Sequence, residues 1–446
     1  MKRAIIDTLK NWQVSPIRMP LLLRGARQIG KTHCVRQFGQ THFEHFCEIN
    51  FEFSPKSKLY FNSLNPKEII QTLSINQSVP LIPGKTLLLL DEIQECPNAI
   101  LALRYFKEMM PEFHVIGAGS LLEFALKKAD FRMPVGRIEY RYMYPMSFYE
   151  FLLEVATNTQ LDYLNNITLD ETIAEATHQT FSDYFKQYLI VGGMPESVKT
   201  FYNNKNYQLC SDIQAGLLNT YRNDFGKYSS AKEIPLVEEI FYEIPNLVGQ
   251  IFKYSHINPN YRARDLKPAL NHLIDANIIF PIYHSNTAGI PLYATRNIHK
   301  FKSNFVDIGL LVNHCNLSSA ILMQKDFFAI NRGAIMEQFV GQELLAYSNN
   351  IKPGELFFWD REKSQSTAEV DFIIQVDDKI VPIEVKAGIT GRLKSLKMLM
   401  EMRQLNLGVR ISLNTLSLEK NILSVPAYLI YKLEDLVREA YSHLAG

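Results

Sequence analysis

The run PLLLR, residues 20–24, leads directly into GARQIGKT, residues 25–32. No other stretch restricts the fold as strongly. A short apolar run suits a buried strand, and the spacing G-x-x-x-x-G-K-[ST] predicts a glycine-rich turn opening a helix. Such a turn aims backbone N–H groups at phosphate oxygens. Gly25, Gln28 and Gly30 lie along the turn. Lys31 would reach the β- and γ-phosphates of a nucleotide, and the Thr32 hydroxyl would ligate Mg²⁺. HCVRQFG, residues 33–39, continues as the helix. The alternative is an ordinary glycine-containing turn, but both the strand before and the helix after are present.

TLLLLDEIQ, residues 86–94, is an apolar strand ending in two acids. Continuous apolar runs mark parallel strands covered on both faces, and ligands bind beyond their C-terminal ends. Asp91 would hold the Mg²⁺ shell, and Glu92 would orient the attacking water for in-line phosphoryl transfer. FCEINFEF (46–53), FHVIGAGS (113–120) and IEYRYMYP (138–145) are further strand candidates. Ser120 stands where a sensor group could touch the γ-phosphate. It also fits as N-cap of the helix LLEFALKKA, and the two roles are compatible.

The strand between the two motifs, the DE pair and the polar strand end resemble AAA-type ATPases. That resemblance implies rings or clusters in which an arginine of one subunit reaches the neighbour's γ-phosphate. Arg137, just before the last strand, matches that position. Arg132 and Arg104 compete with it, and a plain surface arginine is the alternative reading.

With 446 residues the chain exceeds what one core usually covers, so two or three domains are expected. The formal charge is +1, so contact with nucleic acid such as DNA needs a local basic patch. Five scattered cysteines form no ligand cluster and read as reduced thiols in a cytoplasmic protein. The N-terminus lacks the apolar stretch of a signal peptide, and no run approaches the ~20 apolar residues of a membrane span.

In the middle, SFYEFLLEVA and FSDYFKQYLIVGGMPESV read as helices, the second broken at Gly192–Gly193. VGGMPE resembles the lid of this ATPase branch; physically it encodes a helix stop and a proline-started helix. From about 235 to 315 the order helix, helix, FPIYH strand, PLYAT strand resembles a winged helix. Arg262, Arg264, Lys267 and His272 lie on or just before its second helix, where a DNA reader needs them. Asp265 and Asp275 interrupt that basic face and favour a packing module.

After residue 325 the order is helix (with Glu337), strands ELFFWD, AEVDFIIQV and KIVPIEVKA, helix GRLKSLKMLMEMRQL, strand LGVRISL. Side chains two apart share a strand face, so Glu369 pairs with Asp371, and Glu384 with Lys386. Adjacent strands lie about 5 Å apart, so Asp371, Glu384 and Lys386 can converge, with Glu337 arriving from the helix. Acids among apolar neighbours need a partner, and a divalent cation is an efficient one. Lysine beside a metal can position water, as metal-assisted phosphodiester hydrolysis requires. Glu337, Asp371 and Glu384 are the expected ligands of Mg²⁺ or Mn²⁺. A hairpin with a structural Lys–Glu pair is the alternative. Arg392, Lys394 and Lys397 on the next helix could follow a phosphate backbone or form a solvated face.

Asp371, twelve residues, then Glu384-Val-Lys386 matches the PD-(D/E)XK nuclease core, with Val370 where many members carry proline. GARQIGKT, LLLLDEIQ, AEVDFII and PIEVKAG, in that order, resemble a group of prokaryotic AAA-type ATPases with a C-terminal domain of unknown function. The expected fold is α/β: a P-loop AAA-type ATPase domain with helical lid over 1–205, a winged-helix-like segment over 206–325, and a restriction-endonuclease-like domain over 326–446. The expected function is ATP binding and hydrolysis coupled to metal-dependent cleavage of DNA, by a chain that can assemble with copies of itself. Two rivals stand beside it: an ATP-switched binding module that does not cut, and an ATPase acting on protein partners.

Overall fold

The structure is a computed structural model that describes residues 1–127, 136–317, 332–361, 368–388 and 392–445. Two compact units emerge: residues 1–145 with 275–277 and 349–353, and the remainder.

The first unit is built on five parallel strands: β1 (Leu21–Arg24), β2 (His45–Asn50), β3 (Thr86–Asp91), β4 (His114–Ala118) and β5 (Glu139–Tyr142). Every residue of β3 and β4 is buried, as continuous apolar strands between two helical layers must be. The sheet order is β2-β3-β4-β1-β5. β4 therefore lies between β1 and β3, and all three strands point the same way. The loop after β1, Asp91–Glu92 at the end of β3 and Ser120 beyond β4 thus meet at one edge of the sheet.

The second unit begins with helices. Phe148–Val155 is started by a Ser147–Glu150 capping box. The helix Glu175–Val191 stops at Gly192, whose φ of 70° suits glycine, and Pro195 opens the next helix. The Gly193 N–H donates to the buried Asp307 carboxylate at 2.6 Å, so the VGGMPE turn is fixed by a side chain far along the chain.

This unit also carries an eight-stranded sheet. Its strands are β6 (Ile279–Ser285), β7 (Arg296–Phe305), β8 (Leu356–Asp360), β9 (Glu369–Val376), β10 (Lys379–Val385), β11 (Gly408–Ser412), β12 (Ser417–Glu419) and β13 (Ile422–Pro426). Their order is β12-β13-β11-β10-β9-β8-β6-β7. β8, β9 and β10 form an antiparallel meander, and the helix Lys394–Arg403 then carries the chain to β11, parallel to β10.

Two expectations change here. PLYAT is not a strand: Leu292–Thr295 is a 3₁₀ turn, and the second hairpin strand is the following RNIHKFKSNF. That segment looks polar in sequence, yet its inner half buries Lys302, Ser303 and Asn304. Nor does the hairpin β6–β7 close a small domain of its own. β6 pairs in parallel with β8, so residues of the 206–325 and 326–446 segments share one hydrogen-bonded sheet. The helix Ala263–Asp275 turns Leu266, Ala269, Leu270 and Leu273 inward at i, i+3, i+4, i+7 spacing and leaves Arg262, Arg264 and Lys267 exposed. His272 meets the Ser229 hydroxyl at 2.9 Å.

His114 opens β4 and is 5% exposed, with Phe43 and Trp12 edge-on to its ring at 4.8 and 5.7 Å. Burial, reinforced by the Arg18 charge, lowers its pKa to about 4. The unfolded chain therefore binds an extra proton between about pH 6.5 and 4. This stability contribution is complete above pH 6.5 and is lost as pH falls toward 4, at no more than about 1.4 kcal/mol per pH unit. Melting temperatures measured across that range should fall less steeply for His114→Phe than for the parent.

Candidate functional site

The loop after β1 has an unusual backbone. Gly25, Gln28 and Gly30 adopt φ of 137°, 61° and 93°. A Cβ at Gly25 would lie 2.1 Å from the Met143 carbonyl oxygen, so glycine is required there for space as well as conformation. Lys31 begins the helix Lys31–His42, and its ammonium donates to the carbonyls of Gly25 (3.0 Å) and Ala26 (2.7 Å). Burial lowers its pKa to about 8, against the nearby charges of Glu92 and Asp91. A buried ammonium satisfied only by loop carbonyls has the chemistry of an anion cradle.

Thr32 donates its hydroxyl proton to Asp91 Oδ1 at 2.9 Å. The two expected Mg²⁺ ligands are thus adjacent, and the donor set fits a hard cation held by oxygen. Asn50, opposite Asp91 in the β2–β3 register, donates to Asp91 Oδ2 at 2.9 Å. Burial raises the Asp91 pKa despite both hydrogen bonds. Sequence reasoning passed over Asn50; its place at the end of the neighbouring strand was the available signal. Glu92 adopts a left-handed conformation, φ 48°, and accepts from Gln94 Nε2 at 2.6 Å. Strained backbone of this kind collects at functional sites. Ser120 is buried but does not cap the next helix, Leu122–Leu126, whose N-cap is Leu121 without a side-chain bond. Arg137 is half exposed and shares Glu108 with Arg104, at 3.1 and 3.0 Å. Arg132 lies outside the described residues.

A second cluster lies on the large sheet. Ile383 pairs with Phe372, so Glu384 and Asp371 follow as facing residues of β10 and β9. Asp371 Oδ2 accepts from the Val385 N–H at 2.7 Å. Lys386 donates to Glu384 Oε1 at 2.5 Å. Glu384 is 6% exposed, and its Oε2 is buried without a hydrogen-bond partner. Burial, then the Asp371 charge, pushes its pKa up to about 7.

Glu337, on the helix Arg332–Ala346, does not join Asp371 and Glu384 as a third ligand. Among the described residues these carboxylates do not gather closely enough to share one ion; Asp170, Glu439 and His443 are the trio that does. Lys302 of β7 stands among the acids. Fully buried, it donates to Glu337 at 3.0 Å, pairs with Glu369, and stands 3.8 Å from Asp371. Burial and then Asp371 still raise the Glu337 pKa to about 8. Sequence reasoning missed Lys302. The alternation Lys300, Lys302, Asn304 against Phe301, Ser303, Phe305 was the only trace of a strand there. Arg392, Lys394 and Lys397 are exposed on or beside their helix.

Residues 18–152 match an AAA domain. This part of the chain is a P-loop ATPase domain of the AAA type. Residues 182–320 and 332–430 of this ATPase match two domains of unknown function, DUF8612 and DUF4143. Among solved structures, a Walker-type ATPase of Pyrococcus abyssi is similar at 15% identity, covering 70% of this chain and 95% of that one, with a TM-score of 0.44. The ORC1 protein of Aeropyrum pernix in complex with DNA is similar at 10% identity over 70% and 90%, TM-score 0.28. The ORC2 protein of the same organism, with ADPNP and ADP, follows at 10% identity over 72% and 93%, TM-score 0.33. No curated protein matches the sequence. Among the described residues no helix is long and apolar enough to cross a membrane.

The phosphate loop's geometry predicts its tolerance. Gly25→Ala should destabilise the protein by about 2 kcal/mol or more, because left-handed strain and a backbone clash add. Urea unfolding of the variant beside the parent measures it.

Proposed function

We propose that this ATPase couples ATP turnover in its first unit to metal-dependent hydrolysis of a phosphodiester, in DNA, on the large sheet of its second. The first half of the reading gives each residue of the loop a task. The N–H groups of Gly25, Gln28 and Gly30 cradle phosphates, and the Lys31 ammonium leaves the Gly25 and Ala26 carbonyls for the β- and γ-oxygens. Thr32 and Asp91 hold Mg²⁺, which supplies charge neutralisation at the transferring group. Glu92 releases Gln94 and orients the attacking water. Ser120, buried at the same sheet edge, meets the γ-phosphate. Arg137, whose Glu108 ion pair is exposed, serves the neighbouring copy in a homo-oligomer.

One observation carries the second half: Asp371 and Glu384 face each other across β9 and β10, beside Lys386, with one Glu384 oxygen buried and unbonded. An orphaned buried carboxylate oxygen wants a cation. A divalent ion there would polarise a phosphate and lower the pKa of a water. Asp371 and Glu384 hold it, and Lys386 positions the nucleophile and steadies the developing charge. The meander β8-β9-β10 with a helical crossover to parallel β11 supports a PD-(D/E)XK reading of the sheet. The order of helices before β6 supports a winged-helix ancestry, with the exposed Arg262, Arg264 and Lys267 placed to follow a phosphate backbone. The chain is read as cytoplasmic, from its isolated cysteines.

Lys302 favours a second reading, since it already neutralises part of the acidic cluster. In that reading ATP switches a domain that grips nucleic acid or protein without cutting.

Two measurements test these proposals. Lys31→Ala should lose ATP binding, whereas Glu92→Gln should keep binding and hydrolyse roughly 10²- to 10⁴-fold more slowly. With Mg²⁺ or Mn²⁺, with and without ATP, the parent should cleave single-stranded, duplex or branched DNA, and Glu384→Gln and Lys386→Ala should abolish cleavage. Cleavage unchanged in Lys386→Ala excludes the hydrolytic centre; ATP-dependent DNA retention without cleavage in any metal establishes the second reading.

A further inference from the structure

The edge of the ATPase sheet keeps one hydrogen-bond acceptor in reserve. Gln94 sits on the short 3₁₀ turn Ile93–Glu95, just past the acids that end β3. Its Nε2 donates to Glu92 Oε2 at 2.6 Å. With the amide nitrogen committed to a carboxylate, Oε1 is the end left over, and it is buried without a hydrogen-bond partner. Burying a carbonyl oxygen unbonded costs free energy, so such an atom calls for an explanation. Its position supplies one. Oε1 lies over Gly119, between the end of β4 and Ser120, and a Cβ at Gly119 would stand 2.0 Å from it. Apart from the chain neighbours of Gly119, the nearest atom outside Gln94 that such a Cβ would meet is the Ile93 nitrogen, at 3.8 Å. The missing side chain at 119 thus leaves the room that this carboxamide fills.

We propose that Gln94 is a catalytic residue of ATP hydrolysis, its Oε1 accepting one hydrogen of the attacking water while Glu92 accepts the other. A water attacking in line keeps a lone pair for phosphorus, so both of its O–H bonds need acceptors. Glu92 supplies one, and the unbonded Oε1 beside it supplies the second. The water enters between the two side chains and replaces their direct hydrogen bond. Its oxygen then bonds the γ-phosphorus, and the bond from phosphorus to the β–γ bridging oxygen breaks, with its electron pair passing to ADP. One water proton goes to Glu92. The other, held at Gln94 during the attack, stays on the released phosphate. The inference deepens the ATP-hydrolysis reading of the first unit and rests on it for the task of Glu92.

Methionine keeps the length of glutamine and removes its donor and acceptor. In the full-length protein with Mg²⁺, Gln94→Met should lower kcat for ATP roughly 10²-fold, while KM and the Kd of ATP stay within about twofold. Gly119→Ala should do the same with Gln94 intact, because its methyl displaces the carboxamide. Two side chains that hold one water act as a unit, so Gln94→Met should cost far less in a Glu92→Gln background than in the parent. The inference is overturned if Gln94→Met and Gly119→Ala turn over ATP at the parent's kcat, or if their loss lies in KM. It is equally overturned if, with Glu92→Gln itself slow, Gln94→Met costs the same factor in both backgrounds. Should Gln94→Met fail to fold, Gly119→Ala decides on the same criteria. Glu92→Gln separates the two readings. If it hydrolyses ATP at the parent's rate, the task given to Glu92 fails, while a kcat loss in Gln94→Met and Gly119→Ala still marks Gln94 as an acceptor for the water.

Discussion

A single ammonium buried among carboxylates governs the second unit. Taking Lys302 out of water costs several kcal/mol unless partners surround it. Glu337, Glu369 and Asp371 supply them, and each would itself be costly to bury alone. Remove any member and the others are left uncompensated in a low-dielectric interior. The hairpin β6–β7, the strand β9 and the helix Arg332–Ala346 are therefore interdependent. The parallel ladder between β6 and β8 states the same dependence in backbone hydrogen bonds.

The nucleotide loop is organised on a different principle. Its polar groups bond one another: Lys31 with loop carbonyls, Thr32 and Asn50 with Asp91, Gln94 with Glu92. These are hydrogen bonds of ordinary length, so each of these side chains has a partner. Burial opposes the charge of Lys31 and of Asp91 alike. A nucleotide phosphate with its cation would relieve both.

Legibility followed the type of interaction. The three central strands β1, β3 and β4 were readable because burial on both faces demands unbroken apolar runs, and LLL, TLLLLD and HVIGA meet that demand. The meander and the facing of Asp371 and Glu384 were readable because a two-residue turn at Asp377–Asp378 fixes the register of β9 on β10. RNIHKFKSNF was not readable as a strand, since half its length is exposed and its buried half is polar. The partner of Glu337 was not readable for the same reason: Lys302 lies in that strand.

Local chemistry and chain connectivity alone determined the phosphate loop, the DE pair at the end of β3 and the hairpin that carries Asp371 and Glu384. Each is set by neighbours within one or two elements. Tertiary structure decided that β6 and β7 join the large sheet, and that Lys302 meets Glu337. Those outcomes depend on pairing strands separated by some seventy residues, for example Tyr283 with Phe357. A buried charge takes the partner that the fold delivers, and sequence spacing carries no record of which one that is.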